Sequence, residues 1–402
     1  DLPQDSFHLK AYYTDFFRGI GITSYKFYED IQRSRGIQYD KPWKKALIDQ
    51  SSITQYTKGF NDINDLKLQL DTGALCHPDG FPVIVYLNGE FYGIFSWQLK
   101  KHRDNMHMTK DVPEHIHIDG VLNTSTVFYG SINYTQFEIR NPKNLYCMDG
   151  TEYDGDAPKE IIDETSEFYT VAEDSKKIKT RKETTAKVKH YLEDFSNHMV
   201  EIRNAYLNGN IDLSKELLET YFDIDNLIDY LIFSDIIKNS DGFSKNWQWT
   251  TYDGVKWFVN AYDLDMSFGG HFQGTQITNT ITGHINTSNY YPFFYIINYY
   301  NDQLKARYKE LRINKIIDSD HIISYLESWT KRIGDDFYKQ EYKKWSDSPC
   351  NNDNKINSTY WELVVDENNN PVKANSSNYN GTTEYQVDDI CTYGISSVMG
   401  FY

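Results

Sequence analysis

Four cysteines in 402 residues are too few for a disulfide scaffold. Cys76, Cys147, Cys350 and Cys391 also stand too far apart for a zinc motif. No run approaches the roughly 18 apolar residues that cross a bilayer. Positive charge is scarce: 41 Lys and Arg face 58 Asp and Glu, for a formal net charge of −17. Nucleic-acid and anionic-membrane binders recruit phosphates with a positive field, so this balance argues against both as general partners. It leaves open a small phosphate ligand that arrives with its own metal ion. A glycine-rich phosphate loop is missing too. Gly19-Ile-Gly21 lacks the third glycine and precedes a helix instead of joining two strands, so it reads as a plain turn. The sequence starts at Asp1 without a secretory leader, which implies a targeting segment either removed or never present.

Apolar material is plentiful. Hydrophobic residues make up 39% and aromatics 16%, with 33 Tyr, enough for a sizeable core in two or three folding units. Phe7 to Tyr13 alternates as a strand does, and an amphipathic helix is expected near Ser24 to Ser34. The clearest hairpin is Val83–Leu87 and Phe91–Trp97 around Asn88-Gly89, a dipeptide suited to the two positive φ values of a type I′ turn. Alternation continues from His115 to Pro142. Residues 148–185 are charged and read as a solvated connector. Helices are then expected from about Ala186 to Leu207, from a cap at Asp212, and from a cap at Asp225 through Ile237. The last of these is apolar nearly all round and should be buried. Further helices are expected at Pro292–Arg312 and Asp320–Lys339, then an Asn-rich tail with a short strand at Tyr360–Val365.

That buried helix delivers Asn239-Ser240-Asp241, and Asn246 follows Asp241 by five residues in a polar turn. A hairpin comes next, and its second strand, Lys256 to Tyr262, runs into Asp263-Leu-Asp265-Met-Ser-Phe268-Gly269. In protein kinases an Asp followed five residues later by Asn forms the catalytic loop, and a metal-binding Asp ends the next hairpin. Phosphoryl transfer needs one carboxylate to take the acceptor hydroxyl's proton and hard oxygen ligands to hold Mg²⁺ against the phosphates.

Together with Leu87-Asn-Gly-Glu-Phe-Tyr-Gly-Ile-Phe95, these motifs resemble the CotH-type spore-coat kinase family, over roughly residues 5 to 345. The resemblance implies an α+β, two-lobed atypical protein-kinase-like fold that uses ATP and Mg²⁺, or Mn²⁺ in its place, to phosphorylate surface or coat proteins. It implies a secreted or cell-surface location. The expected division is a β-rich small lobe at 1–147, a charged connector at 148–185, a helical large lobe at 186–345 and a tail at 346–402. By the same analogy, the polar segment from Gly270 to Asn289 is the activation-segment equivalent. The family usually carries a Lys/Arg-, Gly- and Asn-containing stretch upstream of the Gly19-Ile-Gly21 turn. Its absence leads to the expectation of a chain cut at its N-terminus.

Roles follow from where charge develops. Asp241 is the expected base and Lys245 the residue that reaches the γ-phosphate. Asn246 and Asp263 are the expected metal ligands, and Asp265 is a second ligand or a cap for the turn that follows. The phosphate lysine of the small lobe is Lys100 or Lys101. Alternation puts only one of them on the cleft face, and spacing does not choose between them. His102-Arg103-Asp104 mimics a catalytic loop, but Thr109 stands where the metal-ligating Asn belongs, and no Asp-bearing hairpin follows at the right distance. The alternative to an active kinase is a kinase-fold module for surface or coat assembly, with little or no turnover. The missing glycine lid and the unassigned lysine favour that alternative, and the intact Asp241, Asn246, Asp263 set favours the enzyme.

Overall fold

The computed structural model describes residues 6–12, 14–15, 17–36, 39–49, 73–121, 130, 132–154, 159–172, 175–239, 241–243, 245–268 and 292–348, and the backbone of 362–365 and 371–375. It contains both helices and strands, an α+β chain.

Asn88 and Gly89 have φ values of +52° and +84°. These are the two left-handed residues of a type I′ turn, and they join β2 (Gly80–Leu87) to β3 (Glu90–Leu99). Strand β1 (Phe7–Lys10) pairs antiparallel with the far end of β3, giving the order β1-β3-β2. The segment leading into helix α1 (Ile20–Arg33) is tied to this sheet by the Ser96 hydroxyl, which donates to the carbonyl of Arg18, and by Tyr12, whose hydroxyl donates to Gln98 at 3.0 Å.

Strands β4 (Ile116–Gly120), β5 (Phe137–Asn141), β6 (Trp247–Thr251) and β7 (Trp257–Ala261) form a second antiparallel sheet in the order β5-β4-β6-β7. It hydrogen-bonds strands from before residue 147 to the hairpin after residue 246, so chain segments on either side of the expected connector share one sheet. One face of these strands is apolar and enters the main core through Ile118, Ile139, Trp249 and Val259. The other face carries polar side chains that are nonetheless buried.

Helix α2 (Pro42–Asp49) has no counterpart among the expected elements, and α3 (Glu167–Thr170) is one turn in the connector. Helix α4 (Lys176–Leu207) begins well before the expected Ala186. Its first turns are Lys-, Arg- and Thr-rich and lack an apolar stripe, yet their lysines and arginine are good helix formers, and Ser175 caps them by accepting from the Ile178 amide at 3.3 Å. Buried residues at Val188, Leu192, Phe195, Met199 and Ile202 then keep the helical spacing.

The caps of the next two helices sit two residues earlier than expected. Asn210 caps α5 (Ile211–Tyr221) in place of Asp212, and Asp223 caps α6 (Ile224–Ile237) in place of Asp225, accepting from the Asn226 amide at 2.7 Å. Helix α6 is buried almost throughout, as its sequence required. The expected helix over 292–312 is broken at Tyr300 into α7 (Phe293–Tyr299) and α8 (Asn301–Ile313). The next is broken at Gly334, φ +88°, into α9 (Ser319–Ile333) and α10 (Asp335–Lys344).

Helix α10 returns to the first sheet. Glu341 there accepts from the Ile94 amide at 2.8 Å and from Arg18 at 2.9 Å. A Cβ at position 93 would stand 3.0 Å from this carboxylate, so Gly93 makes room for it. In the tail, β8 (Glu362–Val365) pairs with β9 (Pro371–Asn375).

Candidate active site

Helix α6 ends abruptly at Lys238, whose φ of +58° turns the chain out of the helix, and the Asn239 amide bonds back to the Ser234 carbonyl at 2.8 Å. Asp241–Phe243 then forms a 3-10 turn. The Tyr230 hydroxyl, from inside α6, donates to the Gly242 carbonyl at 2.9 Å. A Cβ on Gly242 would lie 2.2 Å from Asn239 Nδ2 and 2.5 Å from that hydroxyl, so only glycine fits. The Lys245 amide closes the loop on the Asp241 carbonyl at 2.8 Å. Asp241 and Lys245 are half-buried.

Asn246 is buried, with φ +47°, and immediately precedes β6. The last ladder pair of the β6–β7 hairpin is Trp247 with Ala261. One step further along that register come Asn246 and Tyr262, and Asp263 is next. Asn246 and Asp263 thus both lie just beyond the open end of the hairpin. Asp263 also adopts a left-handed φ, +54°, which aspartate tolerates better than most residues.

The turn after β7 is tied down from two sides. From the N-terminal segment, the Tyr25 hydroxyl of α1 accepts from the Asp263 amide at 2.9 Å, and Thr14 donates to Asp265 Oδ2 at 3.1 Å. Lys10 Nζ of β1 reaches Asp263 Oδ1 at 3.1 Å. From the other side, the Phe268 amide donates to the carbonyl of Ile237, the last residue of α6, at 2.6 Å. The helix that presents Asp241 thus also anchors the turn that presents Asp263 and Asp265.

Burial, and next the charge of Asp263, pushes the Asp265 carboxyl up to about 6. Asp15, fully buried at the start of α1, is pushed up to about 7, mainly by burial and against the Ile20 amide that it accepts at 2.8 Å. Tyr262 is raised by burial first and by Asp263 next.

The donor set here suits a hard divalent cation. Asn246, Asp263 and Asp265 offer oxygen ligands, and Asp265 is an acid made weaker by burial first and by the charge of Asp263 next. Among the described residues no group of three or more His, Cys, Asp or Glu forms an all-protein metal site.

The two lysines nominated from sequence do not meet Asp263. Lys101 forms an ion pair with Asp119 and lies 4.2 Å from the ring centroid of Tyr262. The same Asp119 oxygen takes Arg140 Nε at 3.2 Å. Burial lowers the Lys101 ammonium pKa. Lys100 is half-buried at the end of β3. The cation that does reach Asp263 is Lys10, which sequence reasoning missed. Its only advance signal was its place on the alternating strand Phe7–Lys10.

Asp104 is engaged by the residues of its own turn, His102 Nδ1 at 3.0 Å and Arg103 Nε at 3.6 Å. The segment from Gly270 to Asn289, expected as an activation-segment equivalent, lies outside the described residues. Among the described residues no helix is long and apolar enough to cross a membrane.

A family model described as CotH kinase protein matches residues 70–377. It starts later than the resemblance read from about residue 5 and runs on past 345. The match includes Asp241 to Asn246 and Asp263 to Asp265, and it leaves β1 and α1 outside. Comparison with curated proteins returns no match.

Proposed function

The chain belongs to the CotH kinase family, and from that premise we propose that it transfers the γ-phosphoryl group of MgATP to a hydroxyl group of a protein. The observation that carries this reading is the shared anchoring of two elements. Helix α6 supports the Asp241 loop through Tyr230 and the Asp263 turn through Ile237. A base and a metal-binding group keep a fixed separation when one rigid helix holds both.

In this mechanism Asp241 orients the acceptor hydroxyl and takes its proton as the new oxygen–phosphorus bond forms and the bond to the departing diphosphate breaks. Asn246 and Asp263 hold the metal ion, with Asp265 as a further ligand. When bound, the ion offsets negative charge on the phosphates. Lys245 reaches the γ-phosphate from the catalytic loop. Lys10, already at Asp263, neutralises the polyphosphate from the strand side, the part that the sequence reading gave to Lys100 or Lys101. The proposal includes a two-lobed arrangement, with the β1-β3-β2 sheet and α1 against the helical remainder. It places the protein outside the cell or at its surface, acting on surface or coat proteins.

One observation favours the alternative of a kinase-fold assembly module with little turnover: Lys101, which follows the hairpin as a phosphate lysine should, is engaged by Asp119. Calorimetric titration with MgATP, repeated in EDTA, separates the readings together with transfer of labelled phosphate to the protein itself or to a basic acceptor. Metal-dependent binding with transfer supports the enzyme. Binding without transfer supports the module, and undiminished binding in EDTA contradicts the metal assignment.

A further inference from the structure

Arg18 is buried just before α1 and joins three parts of the chain. Its Nε and Nη2 donate to one oxygen of Glu341 in α10, at 3.3 and 2.9 Å. Its Nη1 donates to the carbonyls of Tyr12 and Asp15, the second at 2.8 Å. The Ser96 hydroxyl of β3 donates in turn to the Arg18 carbonyl. A guanidinium carries five N–H donors in a rigid plane, so it can hold a carboxylate and two carbonyls at once, which an ammonium on a flexible stem does not. The loop between β1 and α1 needs such a support. Tyr12 and Arg18 itself have left-handed φ values of +42° and +54°, a conformation that side-chain-bearing residues keep only where their surroundings fix it.

Docking α10 on the first sheet does not require Arg18. The other oxygen of Glu341 accepts from the Ile94 amide at 2.8 Å, and the Trp345 indole, just past the end of α10, donates to the Tyr92 carbonyl at 2.8 Å. A buried ion pair is also weak evidence of stabilisation, since desolvation offsets much of its attraction. What the guanidinium adds is the position of the loop. Between its two carbonyl contacts stands Thr14, whose hydroxyl donates to Asp265 Oδ2 at 3.1 Å. Groups that orient a metal ligand change metal affinity without touching the metal. Resting on the role proposed above for Asp265 as a metal ligand, we propose that Arg18 is a positioning residue for this site. Glu341 fixes the guanidinium, the guanidinium fixes residues 12–15, and Thr14 aims the Asp265 carboxylate. Helix α10, which carries none of the motif residues, thereby sets the magnesium requirement of the site.

The test measures the magnesium concentration that half-saturates ATP binding, and ATP affinity at saturating magnesium, in the whole protein, in Arg18→Lys and in Glu341→Gln. Arg18→Lys keeps the charge without the fork, and Glu341→Gln keeps the shape without the charge. In both, the magnesium requirement rises roughly tenfold, the lower end of the range for groups that support a metal ligand, while ATP affinity at saturating magnesium stays within about twofold. General loosening of the fold does not produce that split. Arg307→Lys is the control for loosening, because Arg307 pairs with buried Asp229 at 2.9 Å and donates to the Ile31 carbonyl at 2.7 Å, where α8 meets α6 and α1. It melts lower and keeps the parent's magnesium requirement. Equal rises in Arg307→Lys and Arg18→Lys overturn the inference. A Thr14→Val background gives a second check. If Arg18 acts through Thr14, Arg18→Lys adds less than about twofold there, and a full second rise means that it acts by another route and contradicts the inference. A parent whose ATP binding ignores magnesium refutes the metal role of Asp265, and this inference with it. A parent that requires magnesium, matched by both Arg18→Lys and Glu341→Gln, refutes the inference alone.

Discussion

Lys10 Nζ lies 3.1 Å from Asp263 Oδ1, a contact between residues 253 apart in the chain. It joins the first strand of the structure to the turn that carries Asp263 and Asp265. The same ammonium lies 5.0 Å from the ring centroid of Tyr12 and 5.3 Å from that of Tyr262. In the proposed mechanism this lysine turns toward the polyphosphate when nucleotide binds. A hydrogen bond to a charged group contributes about 1.5–3 kcal/mol, so Lys10→Met should weaken MgATP binding roughly ten- to hundredfold. Calorimetry measures this directly. Lys101→Met is the comparison, and a larger loss there returns the phosphate role to Lys101.

The two acidic motifs should fail in different ways. Asp263→Ala removes the proposed metal ligand and should weaken MgATP binding as well as abolish transfer. Asp241→Ala removes an interaction made mainly during transfer, so affinity should hold while the rate falls by roughly 10² to 10⁴. Asp104→Ala is the control, since the ionic partners of Asp104 lie in its own turn. Affinity and single-turnover transfer for the three variants decide the matter. Loss of transfer in Asp104→Ala with activity retained in Asp241→Ala puts the active site elsewhere.

Gly242 has no space for a side chain, because a Cβ would meet Asn239 at 2.2 Å and the Tyr230 hydroxyl at 2.5 Å. Gly242→Ala should therefore displace the Asp241 turn and cost roughly 1–3 kcal/mol, the usual range for forced overpacking. The expected pattern is a modest drop in melting temperature with a disproportionate loss of transfer. Unchanged transfer means that the loop geometry does not matter to the chemistry.

Stability should depend on pH through two buried acids. Asp265 is raised to about 6 and Asp15 to about 7, from ordinary values near 3.8. The folded state holds these protons more tightly than the unfolded chain does. Their contribution is complete below the unfolded value and is lost as pH rises, through about 4 to 6 for Asp265 and up to 7 for Asp15. Asp265→Asn should therefore gain stability relative to the parent between pH 4 and 7, by roughly 1–2 kcal/mol after allowance for solvent screening. Melting curves of both proteins across that range show it. A constant difference between them means that Asp265 is not a perturbed acid.

Local chemistry made some features legible. Asn88-Gly89 dictated a type I′ hairpin, and the apolar run from Leu227 to Ile237 dictated a buried helix that stops before Asp241. Other features depend on contacts that no short window contains. Lys10, Thr14 and Tyr25 approach the Asp263–Asp265 turn from the opposite end of the chain. The early start of helix α4 was not legible, because its charged first turns carry no apolar period to announce them. The burial of the second sheet's polar face is hidden as well, since alternation shows which face a residue occupies and not whether that face is covered.

The most direct measurement is transfer of labelled γ-phosphate from ATP by the whole protein and by Asp263→Ala, with Mg²⁺ present and then removed by EDTA. The expected result is labelled protein or acceptor in the parent with Mg²⁺, none in EDTA, and none in Asp263→Ala under either condition. Equal labelling by the parent and Asp263→Ala would contradict the metal-assisted transfer proposed for this site.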